Sequence, residues 1–330
     1  MTLRSILVAS IALFVVTACE QDVELDIPAG DQQVVVEGWV HLDEAPVVLL
    51  SRSTEPYGDF GLTSFLDSTF VRGATVSVNG WPLQEVRLQD LPDRQKERAA
   101  GLFSFPKEVL TLYPDLDPAL QQVLADTAGI DTATLGAFIR LPAYSDTTGT
   151  IRGQEFGVYG LTADVGDERV TATTTIPRLS GLDSLSFAYI DDEPGFAEVY
   201  LHITVPSDVN RYIRYATKRN DEPFLYPDAG GSVFDNGIYA GQGSIRLPVE
   251  RAYPDGADPE PAVFGLFEVG DTVVVEWSDI DRQTFDYWFT VENDGGDSPF
   301  SSATRILSNV NGGLGVWAGY GSNRYVIHVP

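Results

Sequence analysis

The chain has 330 residues, with 48 Asp and Glu against 21 Lys and Arg, a formal charge of -27. Such a surface repels a phosphate backbone, which argues against nucleic acid as a partner. At 43% hydrophobic and 11% aromatic, with 31 Gly and 20 Pro, the chain is too apolar for disorder and rich in turn residues, as all-β chains are; its length suggests two domains of roughly 150 residues.

Residues 1–18 read as a secretory signal. Arg4 supplies a short positive region and Ile6 to Val16 an apolar run of 11 residues, well short of the roughly 20 that a membrane-spanning helix needs. The run ends in Val16-Thr17-Ala18-Cys19, and Cys19 is the only cysteine. Small residues ahead of a cysteine form a bacterial lipoprotein cleavage pattern, so the mature chain is expected to start at a triacylated Cys19. Three acyl chains at about 0.8 kcal/mol per buried methylene make a durable anchor. An ordinary signal peptide with a chance cysteine is the competing reading. No second thiol is left for a disulfide, a metal or a nucleophile. Residues 19–30 form an acidic tether, Glu20 to Asp26 ahead of Pro28-Ala29-Gly30, expected to be solvated. Acidic residues directly behind the cysteine resemble a signal for export to the outer face of the outer membrane.

From Gln33 the hydrophobic period is two: Val34, Val36 and Gly38 alternate with Val35, Glu37 and Trp39, and Val47 to Leu50 follow as a second strand. Ala74-Thr75-Val76-Ser77-Val78 runs into Asn79-Gly80, a type I′ turn dipeptide, so residues 74–88 are predicted as a hairpin. A second hairpin is predicted from Tyr159 to Ile176 around Gly166-Asp167, stopped by Pro177. Residues 31–178 thus read as a β-sandwich of immunoglobulin or transthyretin type.

Residues 90–150 break the period and read as a helix-containing insertion. Arg94 to Ala99 is helical in composition. Asp117 can cap a helix with Pro118 first, carrying Leu120, Val123 and Leu124 on one face, and Asp131 can cap another with Leu135, Phe138 and Ile139. Such an insert is either padding or a partner-specific element.

Residues 179–330 are predicted as a second sandwich. Leu185, Phe187 and Tyr189 alternate, as do Val199, Leu201, Ile203 and Val205; Tyr212 to Ala216 and Asp271 to Trp277 continue the pattern. Asp281 can cap one helix bearing Phe285, Trp288 and Phe289, and the chain closes with strand fragments at Gly315 to Trp317 and Tyr325 to Val329.

Catalytic signatures are missing: there is no nucleophile elbow, zinc-protease helix or phosphate loop. His41, His202 and His328 are scattered over predicted strands, where structural roles are commoner than metal binding. Asp191-Asp192-Glu193 and Glu292 to Asp297 could clasp calcium but lack the EF-hand spacing, so solvated turns are the simpler reading. The five tryptophans offer stacking surfaces for a ligand, although core packing is their usual use on strands. No cofactor is expected.

The glycine-rich segment at Asn309, Gly312, Gly313 and Gly315 is either a tight turn or a backbone platform for a partner. Ile306 to Tyr320, the Cys19 motif, Val35 to Val40, Val170 to Pro177 and Phe234-Asp235-Asn236-Gly237 together resemble the lipoprotein family called domain of unknown function 4249. That resemblance covers nearly the whole mature chain and is weakest over residues 90–150. It implies an outer-membrane lipoprotein encoded beside a TonB-dependent receptor, without a catalytic residue to carry over. The expected role is non-enzymatic: capture of a ligand, or an accessory part in the receptor's nutrient uptake, with the protein lipid-anchored and facing outward. The alternatives are a surface hydrolase with an unrecognised carboxylate pair and a structural or adhesive lipoprotein.

Overall fold

Alternation in strand β1 (Val34–His41) sends Val34, Val36 and Val40 into one core and Trp39 into another on the opposite face, the period-two geometry of a strand covered on both sides. It belongs to an eight-stranded sheet with β2 (Val47–Arg52), β5 (Gln84–Arg87), β6 (Pro142–Ser145), β11 (Tyr212–Arg219), β12 (Val233–Asp235), β15 (Thr272–Ile280) and β17 (Leu314–His328). The order is β12-β11-β15-β17-β1-β2-β6-β5. A second sheet, β16-β8-β7-β3-β4, uses β3 (Thr75–Val78), β4 (Trp81–Pro82), β7 (Val158–Val165), β8 (Glu168–Thr175) and β16 (Val310–Asn311). In the third, β10 (Phe196–Thr204) pairs with β9 (Ser184–Tyr189), β13 (Ser244–Val249) and β14 (Phe267–Glu268).

This computed structural model describes residues 32–53, 66, 69–102, 116–128, 131–205, 209–227, 231–254, 257–293 and 305–330; the signal segment, Cys19 and the acidic tether lie outside them. No helix among the described residues is long and apolar enough to cross a membrane.

Both small sheets pack on one face of the large one. The second sheet buries Leu161, Ala163 and Val170 against Val36, Leu50 and Trp317, and the third buries Val199, Leu201 and Ile203 against Ile213, Val275 and Trp277. At roughly 1.5–3 kcal/mol for each fully buried large aliphatic side chain, these two interiors supply most of the drive to fold. The other face is covered by helices α1 (Asp93–Leu102), α2 (Pro118–Ala128), α3 (Thr132–Ile139) and α4 (Arg282–Glu292), with Leu135 and Phe138 in one cluster with Trp39, Leu49 and Val316. The fold is all-β and sandwich-like, as its alternation implies.

The cap residues act as expected. Asp117 Oδ1 accepts from the Ala119 and Leu120 amides, Asp131 from Thr134 and Asp281 from Thr284. Leu120 and Val123, expected to form the buried face of α2, are instead 49% and 59% exposed. The Asn79-Gly80 turn has the positive φ pair of a type I′ hairpin, 51° and 80°, but its second arm is shorter than expected. Trp81 and Pro82 pair with β3, after which β5 crosses to the large sheet and pairs with β6, Val86 opposite Ala143. Helices α1 to α3 are therefore an excursion between two paired strands, and β6, inside the expected insertion of residues 90–150, belongs to the sheet.

The C-terminal fragments expected at Gly315 and Tyr325 are one strand of 15 residues. It runs parallel to β1, Glu37 opposite Val316 and His41 opposite Tyr320, and antiparallel to β15. Gly319 lies within this strand. A Cβ there would lie 2.7 Å from the Thr175 carbonyl oxygen, so the glycine admits β8 rather than bending the chain. The boundary expected near Ser180 falls where the core changes, between Ile176 and Leu182, yet β17 gives Trp317 to one core and packs Tyr325 on the other. Residues 32–330 form one compact unit.

Candidate functional site

The register of the large sheet stacks chemistry-bearing residues in rows on its helix-covered face. His41 lies opposite Tyr320, which lies opposite Ile280; Ser322 pairs with Ser278, which pairs with Arg214; Arg324 pairs with Glu276. Opposed residues on one face are close enough to bond. The His41 and Tyr320 rings stack with centroids 4.6 Å apart, Ser278 and Ser322 hydroxyls meet at 2.8 Å, and Arg324 Nε donates to Glu276 Oε2 at 2.8 Å.

Helix α1 completes the rows. Its Arg98 bridges Glu44, at 3.2 Å, and Glu276, while its Glu97 takes Lys218 at 3.0 Å and Arg324 at 3.1 Å. The chain of charges Glu44-Arg98-Glu276-Arg324-Glu97-Lys218 alternates in sign and sums to zero. Burial alone would raise the Glu276 carboxyl, but Arg98 and Arg324 outweigh it and hold it below its ordinary value. Burial likewise opposes the charge on Arg98, and Glu276 and Glu44 more than restore it. Buried charges survive only when matched in this way. Among the described residues His41 has no such partner: burial first, then Arg98, Arg324 and Arg214, push it well below its usual value, so the imidazole is neutral at pH 7, its Nδ1 hydrogen-bonded with Ser322 Oγ at 3.1 Å.

Beside this network Arg214 is held between two rings, 3.5 Å from the Tyr226 centroid and 3.4 Å from that of Trp288. Desolvated cation–π contacts of this kind contribute about 2 kcal/mol. Arg214 also donates to Ser232 Oγ and to the Tyr320 hydroxyl, which in turn accepts from Trp288 Nε1 at 2.9 Å. Glu37 is part of the same cleft. Its carboxyl is raised by burial, with Arg214 pulling in the opposite direction. The cleft holds about 40 Å³, room for about three waters.

A larger groove opens at the other end of α1. It measures about 530 Å³ and is lined by Asp43, Asp90, Asp93, Arg94, Asp146 and Arg152, among others, a size that suits a small organic ligand. Asp146 is spent locally, accepting from the Thr148 and Ile151 amides; Asp93 and Arg94 on the rim are exposed.

The family model described as "Domain of unknown function (DUF4249)" matches residues 20–325. The chain belongs to that family. No curated protein and no solved structure matches it. The DUF4249 match takes in strands of all three sheets, the insertion and the whole charged network.

The site residues singled out in this DUF4249 sequence lie away from both clefts. Cys19 is outside the described residues. Asn309, Gly312, Gly313 and Gly315 lie where the chain passes from β16, paired with β8, to β17, paired with β1. Asn309 stands in for a strand neighbour, its amide donating to the Trp317 carbonyl at 2.7 Å and accepting from the Trp317 amide at 3.0 Å. Gly312 and Gly315 carry the positive φ, 80° and 95°, and a Cβ on Gly315 would collide with the Val36 carbonyl. Gly313 has no positive φ; there the constraint is the Val34 carbonyl, 2.5 Å from where a Cβ would be. His202 Nε2 meets Ser186 Oγ at 2.8 Å, and Glu292 holds the Ser232 amide and hydroxyl. Among the described residues no three His, Cys, Asp or Glu side chains converge on a metal-sized space; Asp294 to Asp297 lie outside them.

Sequence reasoning missed Glu37, Arg98, Arg214 and Glu276. The available signal was a charge inside an apolar strand: Glu37 after Val34-Val35-Val36, and Glu276 after Val273-Val274-Val275.

Proposed function

We propose that this protein is a lipid-anchored, outward-facing outer-membrane lipoprotein that serves a TonB-dependent receptor as a non-enzymatic binding or accessory subunit in nutrient uptake. The observation that carries the reading is the placing of α1, which walls both clefts and is pinned to the sheet by ion pairs of its Glu97 and Arg98. A helix fixed in this way presents a preformed rim with no ordering cost on binding. The groove it borders is large enough for a ligand, and the exposed Asp93 and Arg94 give a partner polar contacts. Anchoring follows from the Cys19 motif, and the receptor from the family resemblance.

One observation favours a hydrolase. Glu37 and Glu276 line one cleft with their carboxyl groups shifted in opposite directions, the condition for an acid and a base. Against it, both Glu276 oxygens are taken by arginines, and a cleft of about 40 Å³ excludes a sugar ring or a peptide.

The test is affinity isolation of the full-length protein from detergent-solubilised outer membranes, with mass spectrometry of what accompanies it. The wild type is expected to bring down a β-barrel receptor, and the surface double variant Asp93→Arg/Arg94→Glu to lose it at an unchanged melting temperature. Cys19→Ser is expected to leave the membrane fraction. Absence of any barrel with the wild type, joined to hydrolytic turnover that Glu37→Gln abolishes, would replace this reading with the second.

A further inference from the structure

On the sheet face opposite the helices, where the second and third sheets meet, two clefts of about 300 and 350 Å³ share Arg178 and Arg211 in their linings. The chain turns from β8 toward β9 here, and the strands diverge because Pro177 carries no amide hydrogen to continue the ladder.

Among the described residues the donors at this junction exceed the acceptors. Arg178 is exposed and forms no hydrogen bond or ion pair among the described residues. Among the described residues Arg211 Nε and Nη1 are buried without a hydrogen-bond acceptor, and the carboxylate paired with it there, Asp279, stays 3.8 Å from Nη1. Trp277, 2% exposed and lining the 300 Å³ cleft, also has an indole N–H without an acceptor. The neighbouring carboxylates are already engaged. Asp279 takes the Ser180 amide at 2.6 Å and its hydroxyl at 2.7 Å, and Asp281 takes Thr174, Thr175 and the α4 cap. Buried donors left unmatched are costly, and native structures rarely keep them without a partner. The remaining lining is apolar, with Ile203 and Phe234 beside Trp277.

We propose that this junction is a binding site for a small organic carboxylate with an apolar body: its anion between the guanidinium groups of Arg178 and Arg211, its body against Trp277, Phe234 and Ile203. Guanidinium geometry suits a carboxylate. A chain with a net charge of -27 repels small anions elsewhere, so a site of this kind depends on local donors. The raised carboxyl of Asp279, about 6 with burial as the main cause, agrees with a carboxylate that the arginine does not neutralise. This site is independent of the α1 clefts and of the receptor.

Calorimetric titration of the purified protein at pH 7 with 3-phenylpropionate tests the proposal, with 3-phenylpropanol and 3-phenylpropylammonium as controls of the same body. The carboxylate is expected to bind saturably and at least about tenfold more tightly than either control, about 1.4 kcal/mol. Arg178→Gln is expected to bring it down to the level of the alcohol. Arg178 is exposed, so that variant keeps its fold even where Arg211→Gln does not. No saturable binding, equal binding of acid and alcohol, or an undiminished affinity in Arg178→Gln would each overturn it.

Discussion

The two faces of the large sheet treat arginine differently. On the helix-covered face Arg98 reaches two carboxylates and Arg324 two, so that six charges cancel around three buried carboxylates. On the opposite face Arg211 has one carboxylate at 3.8 Å, which is already bonded to Ser180, and Arg178 has none among the described residues. Where donors and acceptors are matched, the charge holds an element in place, here α1. Where donors are in surplus, the protein keeps a capacity for something that is not part of the chain.

The widest expected gap between the faces is in stability. Glu276→Ala leaves Arg98 and Arg324 facing one another across a buried gap and is expected to cost about 3–5 kcal/mol. Arg178→Ala, at an exposed position without an ion pair among the described residues, should stay within ~0.5 kcal/mol of the parent. Urea unfolding of both variants reads the difference directly.

The faces also titrate with opposite signs. Asp279 has a native value of about 6 against an ordinary 3.8, so between pH 4 and 6 the native state keeps a proton that the unfolded chain has lost. Stability therefore falls as pH rises through that window, by about 2–3 kcal/mol for the full shift, and Asp279→Asn should flatten the slope. His41 is depressed, so below its ordinary value, about 6.5, the unfolded chain takes up a proton that the native imidazole refuses. Its contribution is complete above that value and is lost as pH falls; His41→Gln should remove the loss. Urea midpoints from pH 4 to 8 for both variants separate the two slopes.

A smaller effect is expected where β17 joins the faces. Gly315 has φ of 95° and no room for a Cβ beside the Val36 carbonyl, so Gly315→Ala should cost more than ~1 kcal/mol. Gly313→Ala, which meets Val34 and the Val170 side chain but carries no positive φ, should cost less. Thermal melts of the pair test whether the β16–β17 connection is a structural turn, and an unchanged melt for both would make the segment a candidate contact surface again.

Much of the fold is legible because it rests on local signals. Period-two alternation gives β1, β7 and β10, Asn79-Gly80 gives the turn, and Asp131 and Asp281 give two helix starts. The long-range features are not legible for a physical reason. The parallel union of β1 with β17 depends on residues some 280 positions apart, and Gly319 carries no mark that distinguishes a close approach from a turn. The charged site was half visible: Glu37 and Glu276 interrupt valine runs, but Arg98, which Glu276 meets, comes from a helical segment without strand periodicity. Arg178 and Arg211 give no sequence signal at all, since surplus is a property of the surroundings.

The distinction between the faces is tested most directly by two double-mutant cycles under one set of conditions, Arg98→Ala with Glu276→Ala and Arg211→Ala with Asp279→Ala, each read by urea unfolding at pH 7. The account predicts a coupling above about 1.5 kcal/mol for the first pair and below about 0.5 kcal/mol for the second. Couplings of equal size would mean that Arg211 is a structural ion-pair residue like Arg98, and would remove the surplus on which the difference between the two faces depends.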